Sequence, residues 1–278
     1  MPAAQMFAFG FGYVAGFLAE RLSAQGVACA GTVRSEDGAA ALRARGFDVA
    51  VWPGGSVTPQ QGSDWLISVP PDAEGCPVYR AFGEVAGHAR TISYLSTTGV
   101  YGDLGGGWAF EETPAAPLSR EAINRARAEE QWLSMGAMVF RLPGIYGPGR
   151  SALERVREPG ARRIVKRGQV FSRIHAGDLA ALLELAMARV KRGEVFNICD
   201  DEPAPADEVL VYAAGLLCVE PPPAVAFEDA GLSPAAQRFY AECKRVSNAK
   251  AKAAFGWRPQ FPTYREGLGD CLRRISGG

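Results

Sequence analysis

The first nineteen residues carry no charged side chain, yet Gly10, Gly12 and Gly16 interrupt them. This combination narrows the possible folds more than any other feature of the chain. A membrane-spanning helix needs about 20 mainly apolar residues in one run. A secretory leader needs a basic start and a small-residue cleavage site. Neither pattern is present, so the segment divides into a buried strand, a glycine turn and a helix. Gln5–Phe9 reads as the strand. Val14, Phe17, Leu18 and Leu22 recur at helical spacing, and Gly26 closes that helix as a left-handed cap.

The turn itself reads Gly10-Phe11-Gly12-Tyr13-Val14-Ala15, a G-x-G-x-x-A spacing between strand and helix. In such a turn Gly10 permits the tight bend and Gly12 lets a diphosphate approach the backbone. Ala15 keeps the helix close to the strand, and the helix N-terminus offers unpaired N–H groups to the anion. Gly10, Gly12, Tyr13, Val14 and Ala15 are therefore the expected dinucleotide-binding residues. The second strand ends in Gly31-Thr32-Val33-Arg34, with no acid for ribose hydroxyls at that point. Arg34 is suited to a 2′-phosphate, which favours NADP and leaves NAD possible, with Asp37 as the alternative acid.

Beyond this turn, short apolar runs alternate with amphipathic stretches. Strands are expected at 27–33, 48–52, 65–69, 91–96, 138–142 and 194–198. Helices are expected at 36–45, 80–89, 120–135 and 179–190. Strands separated by helices imply right-handed βαβ units and a parallel sheet covered on both faces. The fold class is thus α/β: a doubly wound, Rossmann-type parallel sheet of about seven strands with a smaller C-terminal substrate lobe. The dinucleotide-binding domain is assigned to 1–143 plus 171–200, and the lobe to 144–170 plus 201–278. Within that lobe Pro203, Pro205 and Pro221 to Pro223 break the chain, and one helix is expected near 207–217.

Composition limits the partners. Thirty Lys and Arg balance thirty Asp and Glu over 278 residues, so no basic excess marks a nucleic-acid binder. The six cysteines form no CxxC pair and there are two histidines, which argues against a zinc site or a disulfide framework. Reduced thiols in a cytoplasmic protein are the simplest expectation, with a small molecule as partner, no membrane and no metal. Oligomeric state is left open.

Four further segments carry a resemblance: Thr-Ile-Ser-Tyr-Leu-Ser-Thr-Thr-Gly-Val-Tyr-Gly at 91–102, Arg-Leu-Pro-Gly-Ile-Tyr-Gly-Pro-Gly at 141–149, Arg-Ile-His-Ala-Gly-Asp-Leu-Ala at 173–180, and Phe-Gly-Trp-Arg-Pro at 255–259. With the glycine turn they span nearly the whole chain. In this order they resemble the extended short-chain dehydrogenase/reductase superfamily, nearest to its atypical, NAD(P)-dependent epimerase/dehydratase-like members. The resemblance implies a nicotinamide cofactor, a Ser/Thr after the fifth strand, and a Tyr-x-x-x-Lys on the next helix. That chemistry needs a phenol of pKa about 10 acidified by an adjacent ammonium.

Thr97 matches the Ser/Thr position. The tyrosine and lysine are missing: 119–130 reads Ser-Arg-Glu-Ala-Ile-Asn-Arg-Ala-Arg-Ala-Glu-Glu. Arg125 or Arg127 can replace the charge but not the phenol. Tyr101 is the remaining phenol near Thr97, so Thr97 and Tyr101 are the catalytic candidates. Tyr240 and Lys244 match Y-x-x-x-K by letters but lie about a hundred residues too late. Arg150, Arg173 and Arg245 are the candidates for holding an anionic substrate, sugar- or phosphate-containing in the resemblance.

His175 is expected to fix the start of the following helix or to contact a loop. Asp178 is expected to meet that helix's free N–H groups, and Asp200-Asp201-Glu202 to form a solvated loop. Trp257 is expected to pack the final helix. Two functions remain open: an oxidoreductase or epimerase/dehydratase-like enzyme, and a non-catalytic NADP-binding sensor.

Overall fold

The computed structural model describes residues 5–276. Its central feature is a seven-stranded parallel sheet: β1 (Gln5–Phe9), β2 (Ala28–Val33), β3 (Asp48–Val51), β4 (Asp64–Ile67), β5 (Thr91–Thr97), β6 (Met138–Leu142) and β7 (Val195–Asn197). The order is β7-β6-β5-β4-β1-β2-β3. The central strands are buried along almost their whole length because both faces of the sheet are covered. The crossover from β3 to β4 passes from one side of β1 to the other. The strand order therefore reverses at the carboxyl end of β1, the position where α/β sheets open a crevice for ligands.

The helices are α1 (Tyr13–Ser23), α2 (Glu36–Ala44), α3 (Pro77–Phe82), α4 (Arg120–Ser134), α5 (Ala152–Arg157), α6 (Ala176–Ala188), α7 (Ala206–Leu216), α8 (Pro234–Tyr240), α9 (Ala249–Phe255) and α10 (Tyr264–Ser276). Packing divides the chain into two compact units. Within the described residues the first holds 5–100, 120–141 and 179–196, and the second holds 101–119, 142–178 and 197–276.

The first unit has an aromatic core. Phe9 packs edge-on to Trp65 at 5.1 Å and against Phe82 at 4.9 Å, with Trp132 of α4 also fully buried. A second buried feature is ionic: Arg141 pairs with Glu129 at 2.7 Å, and Glu129 also accepts the Ser96 hydroxyl at 2.5 Å. This pair ties α4 to β5 and β6.

In the second unit α5, α7 and α10 enclose a core of Leu153, Val209, Ala213, Tyr264, Leu268 and Cys271. Short parallel strand pairs complete it, among them Gly144–Tyr146 with Arg173–His175.

Two sequence expectations require correction. Among the described residues the region after 200 holds four α-helices, not one: α8 and α9 are only seven residues each and too short to show periodicity, and α10 adds thirteen. The helix expected at 80–89 starts instead at Pro77, which suits the first helical position, and tightens at Gly83 into the 3₁₀ turn Gly83–His88. No helix of the described residues is long and apolar enough to cross a membrane.

Candidate functional site: a glycine turn and an arginine-lined cavity

In the first unit, the turn after β1 takes its shape from Gly10. Its φ of +87° lies in the left-handed region, and a β-carbon there would fall 2.8 Å from Ser68 Oγ. The Gly10 N–H donates to Thr32 Oγ1 at 3.1 Å, and the Ser68 hydroxyl donates to the Gly10 carbonyl at 2.6 Å. Both flanking strands therefore hold the turn, and neither Thr32 nor Ser68 was singled out from sequence.

Gly12 differs. The nearest atom to a β-carbon there is 4.0 Å away, so the space in front of it is open. Gly12 is also the N-cap of α1 and supplies no capping side chain, and the first turn carries no acid. The positive end of such a helix favours an anion. Val14 and Ala15 are buried against the sheet, as close helix–strand packing requires, while Tyr13 is half-buried and meets Phe17 edge-on at 5.1 Å.

Arg34 stands exposed at the end of β2. The next residue, Ser35, caps α2 by accepting the Gly38 N–H, so the backbone there is fixed while the guanidinium has no partner among the described residues. These residues fit a dinucleotide: an open glycine face, an uncapped helix end and a free cation.

Thr97 ends β5 half-buried, its Oγ1 accepting the Gly99 N–H at 3.1 Å. On α4, Arg125 does not stand free to replace a lysine. It donates to the Leu95 carbonyl at 2.8 Å and to the Tyr94 hydroxyl at 3.2 Å. Burial pushes the Tyr94 phenol well above its ordinary range, with Arg125 opposing.

In the second unit, Tyr101 is fully buried and its hydroxyl donates to Asn197 Oδ1 at 2.7 Å. A cavity of about 690 Å³ lies within this unit. Arg150 and Arg173 line it, and so do Arg155 and Arg162, which the sequence did not single out. Its apolar wall includes Tyr146, Phe171, Phe239, Tyr240 and Tyr264. Arg245 is not among the lining residues. It grips the Gly106 carbonyl and so anchors the Gly105–Gly107 turn.

Arg173 donates to the carbonyls of Ala204 at 2.9 Å and Glu202 at 3.4 Å, and lies over the Tyr264 ring. Burial lowers its pKa, with the Asp200 carboxylate opposing. Asp200 overturns the expectation of a solvated acidic loop. It is 2% exposed, and burial pushes its carboxyl up to about 8 despite Arg173 nearby. One oxygen accepts the Glu202 N–H and the other, Oδ2, has no hydrogen-bond partner among the described residues. Asp201 and Glu202 do face outward, pairing with Lys252 and Arg265.

Asp178 does accept backbone N–H groups, among them those of Gln260 and Phe261 at 2.7 and 2.9 Å, so it ties a loop distant in sequence to the first turn of α6.

His175, Asp270 and Cys271 sit close together, with His175 Nε2 3.7 Å from Asp270 and 3.9 Å from the Cys271 sulfur. They do not form a nucleophile site. His175 Nδ1 accepts the Gly177 N–H at 3.2 Å, so in the neutral ring Nε2 carries the proton and cannot take one from the thiol. Burial pushes the thiol up to about 12. Lys244 donates to the Gly102 carbonyl and pairs with Glu242, and it lies outside α8, which ends at Tyr240. Trp257 is buried.

No protein-family model matches the chain. A conserved protein of Silicibacter pomeroyi DSS, described as functionally unknown, has a solved structure that is 43% identical. It superposes with a TM-score of 0.94 over 98% of this chain and 99% of that one. The two chains belong to one family, with the epimerase/dehydratase-like short-chain dehydrogenase/reductase fold. The same fold is shared, at 17% identity and a TM-score of 0.79, by dTDP-glucose 4,6-dehydratase of Bacillus anthracis str. Ames, solved with NAD. There the match covers 99% of this chain and 97% of that one. A UDP-galactose 4-epimerase shares it at 14% identity and a TM-score of 0.70, over 98% and 100%. Among curated proteins, a 3-diazoavenalumate denitrifying reductase of a Streptomyces species is 27% identical over 177 residues, or 59% of this chain. That match spans about half of the reductase, 53% of its length.

Proposed function

We propose that the protein is a nicotinamide-nucleotide-dependent oxidoreductase of the epimerase/dehydratase-like type, acting on a small anionic molecule. The observation that carries this reading is the pair Gly10 and Gly12. One is locked in a conformation that only glycine adopts without strain, and the other faces open space at an uncapped helix end. The dehydratase solved with NAD and the curated reductase support the same class of chemistry.

In this reading the amides after Gly12 receive the diphosphate and Arg34 receives a 2′-phosphate, so NADP is favoured over NAD. The bound nucleotide supplies or accepts a hydride. Thr97 holds the reacting oxygen of the substrate. The phenol proton of Tyr101 is already donated to Asn197, which favours water over Tyr101 as the proton exchanger. Within the second unit, Arg150 and Arg173 are the candidates for holding an anion, and Arg245 serves by fixing the Gly105–Gly107 turn.

A second reading has its own support. Arg125, the residue nearest in role to the missing lysine, is committed to the β5 backbone and Tyr94. A protein that binds NADP without turnover, as a sensor, would look the same here. Incubating the protein with NADPH and a panel of aldehydes and ketones bearing a carboxylate or phosphate separates the two. Loss of absorbance at 340 nm supports the enzyme, while saturable NADPH binding with no turnover supports the sensor.

A further inference from the structure

The cavity of the second unit has a wall chemistry unlike that expected for a sugar. Among its described lining residues there is no Asn, Gln, Asp, Thr or His. Of the two serine hydroxyls, Ser151 donates to Glu154 at 2.6 Å and accepts the Leu153 N–H, and Ser172 accepts the Val246 N–H at 3.1 Å. A sugar ring brings several hydroxyls that must each find a partner, and the side chains left to partner them here are charged ones and the tyrosines 146, 240 and 264. The walls instead offer ring faces and aliphatic surface. Phe171 and Phe239 stack at 4.5 Å with their planes 10° apart, and Tyr240 meets Phe171 edge-on.

The charge in the wall has one sign in excess. Four arginines (150, 155, 162 and 173) face two carboxylates, Glu154 and Glu158. Glu158 is already paired with Arg155 at 2.7 Å, and Glu154 caps α5 through the Ser151 amide and hydroxyl. Arg173 is held by backbone carbonyls without a carboxylate in ion-pair contact. Asp200, the acid closest in effect to Arg173, is not among the cavity's lining residues, and burial pushes its carboxyl up. The cavity therefore keeps positive charge beside an apolar body of space, at a volume typical of sites for drug-sized ligands.

We infer that this cavity binds a carboxylate whose body is aromatic or otherwise apolar, with Arg162 at the cavity wall meeting the carboxylate and Phe239 covering the body. The inference deepens the proposed function: it names the substrate class and rests on that reading for the reaction, though not for the binding. Arg162 and Phe239 are both exposed, Phe239 at 59%, so substituting either leaves the core intact.

The test is calorimetric titration of the full chain, without nucleotide, using 2-naphthoate, its neutral analogue 2-naphthalenemethanol, and UDP-glucose. The acid is expected to bind at one saturable site, at least about 10-fold more tightly than the alcohol, because a charge-assisted contact is lost in the alcohol. Arg162→Gln should weaken the acid about 10-fold and leave the alcohol within about twofold, whereas Phe239→Ala should weaken both alike. Equal affinity for acid and alcohol, indifference to Arg162→Gln, displacement of naphthoate by UDP-glucose, or no binding at all would each overturn the inference. Titrating the same preparation with NADPH reports separately on the nucleotide reading, so the two can fail independently.

Discussion

A β-carbon on Gly267 would lie 2.0 Å from the hydroxyl of Tyr146, so the missing side chain on α10 is what seats that phenol. Burial there pushes the Tyr146 phenol well above its usual range, the Asp200 charge adding to the effect. Tyr146 is thus a wall of the cavity and not a source of protons at neutral pH. Gly267→Ala is expected to cost about 1–3 kcal/mol through overpacking, even though alanine is the better helix former. It should also shift Tyr146 and weaken any ligand of the cavity. Chemical denaturation measures the first effect and a binding isotherm the second.

The two glycines of the first turn should respond oppositely. Gly10→Ala meets Ser68 in a left-handed backbone and should destabilise by about 1–3 kcal/mol. Gly12→Ala points into open space, so stability should change by less than about 1 kcal/mol while nucleotide affinity falls at least about 10-fold. Melting curves with and without NADPH distinguish the two variants.

Arg34→Ala should weaken NADP by about 1–3 kcal/mol, the range for losing a charged hydrogen-bond partner, and spare NAD. Titration with both nucleotides checks this, and an equal loss for both would remove Arg34 from the 2′-phosphate.

Two buried groups give stability a characteristic pH dependence. Burial lowers His175 to about 4, with Asp270 opposing, and raises Asp200 to about 8, with Arg173 opposing. Between pH 4 and 6.5 the unfolded chain binds the His175 proton and the folded chain does not, so this group makes stability rise with pH. Over the same range Asp200 keeps its proton only when folded, and makes stability fall. The two slopes cancel up to about pH 6.5, the ordinary histidine value. From there to about pH 8 only the Asp200 loss remains, amounting to about 1–2 kcal/mol. Asp200→Asn should abolish that fall and uncover a rise between pH 4 and 6.5. Urea titrations across pH 4 to 8 for both proteins test this.

The glycine turn was legible in the sequence because punctuation is local: Gly10, Gly12 and Ala15 act where they stand. The seven strands were legible for the same reason, as apolar runs between turns. The cavity was not, because Tyr146, Phe171, Phe239 and Tyr264 come from four separate segments and are brought together only by packing. Asp200 was misread because three adjacent acids look solvated, while packing buries the first and leaves Asp201 exposed and Glu202 half-buried, each paired with a cation. The tie from Asp178 to Gln260 and Phe261 was not legible because those residues lie more than eighty positions away.

The claim on which the account depends is that the first turn receives a dinucleotide diphosphate. A crystal structure of the protein grown with NADP tests it most directly. The account predicts diphosphate oxygens on the amides that follow Gly12, with the 2′-phosphate at Arg34. Nucleotide bound elsewhere, or a turn that stays empty at saturating NADP, would contradict it.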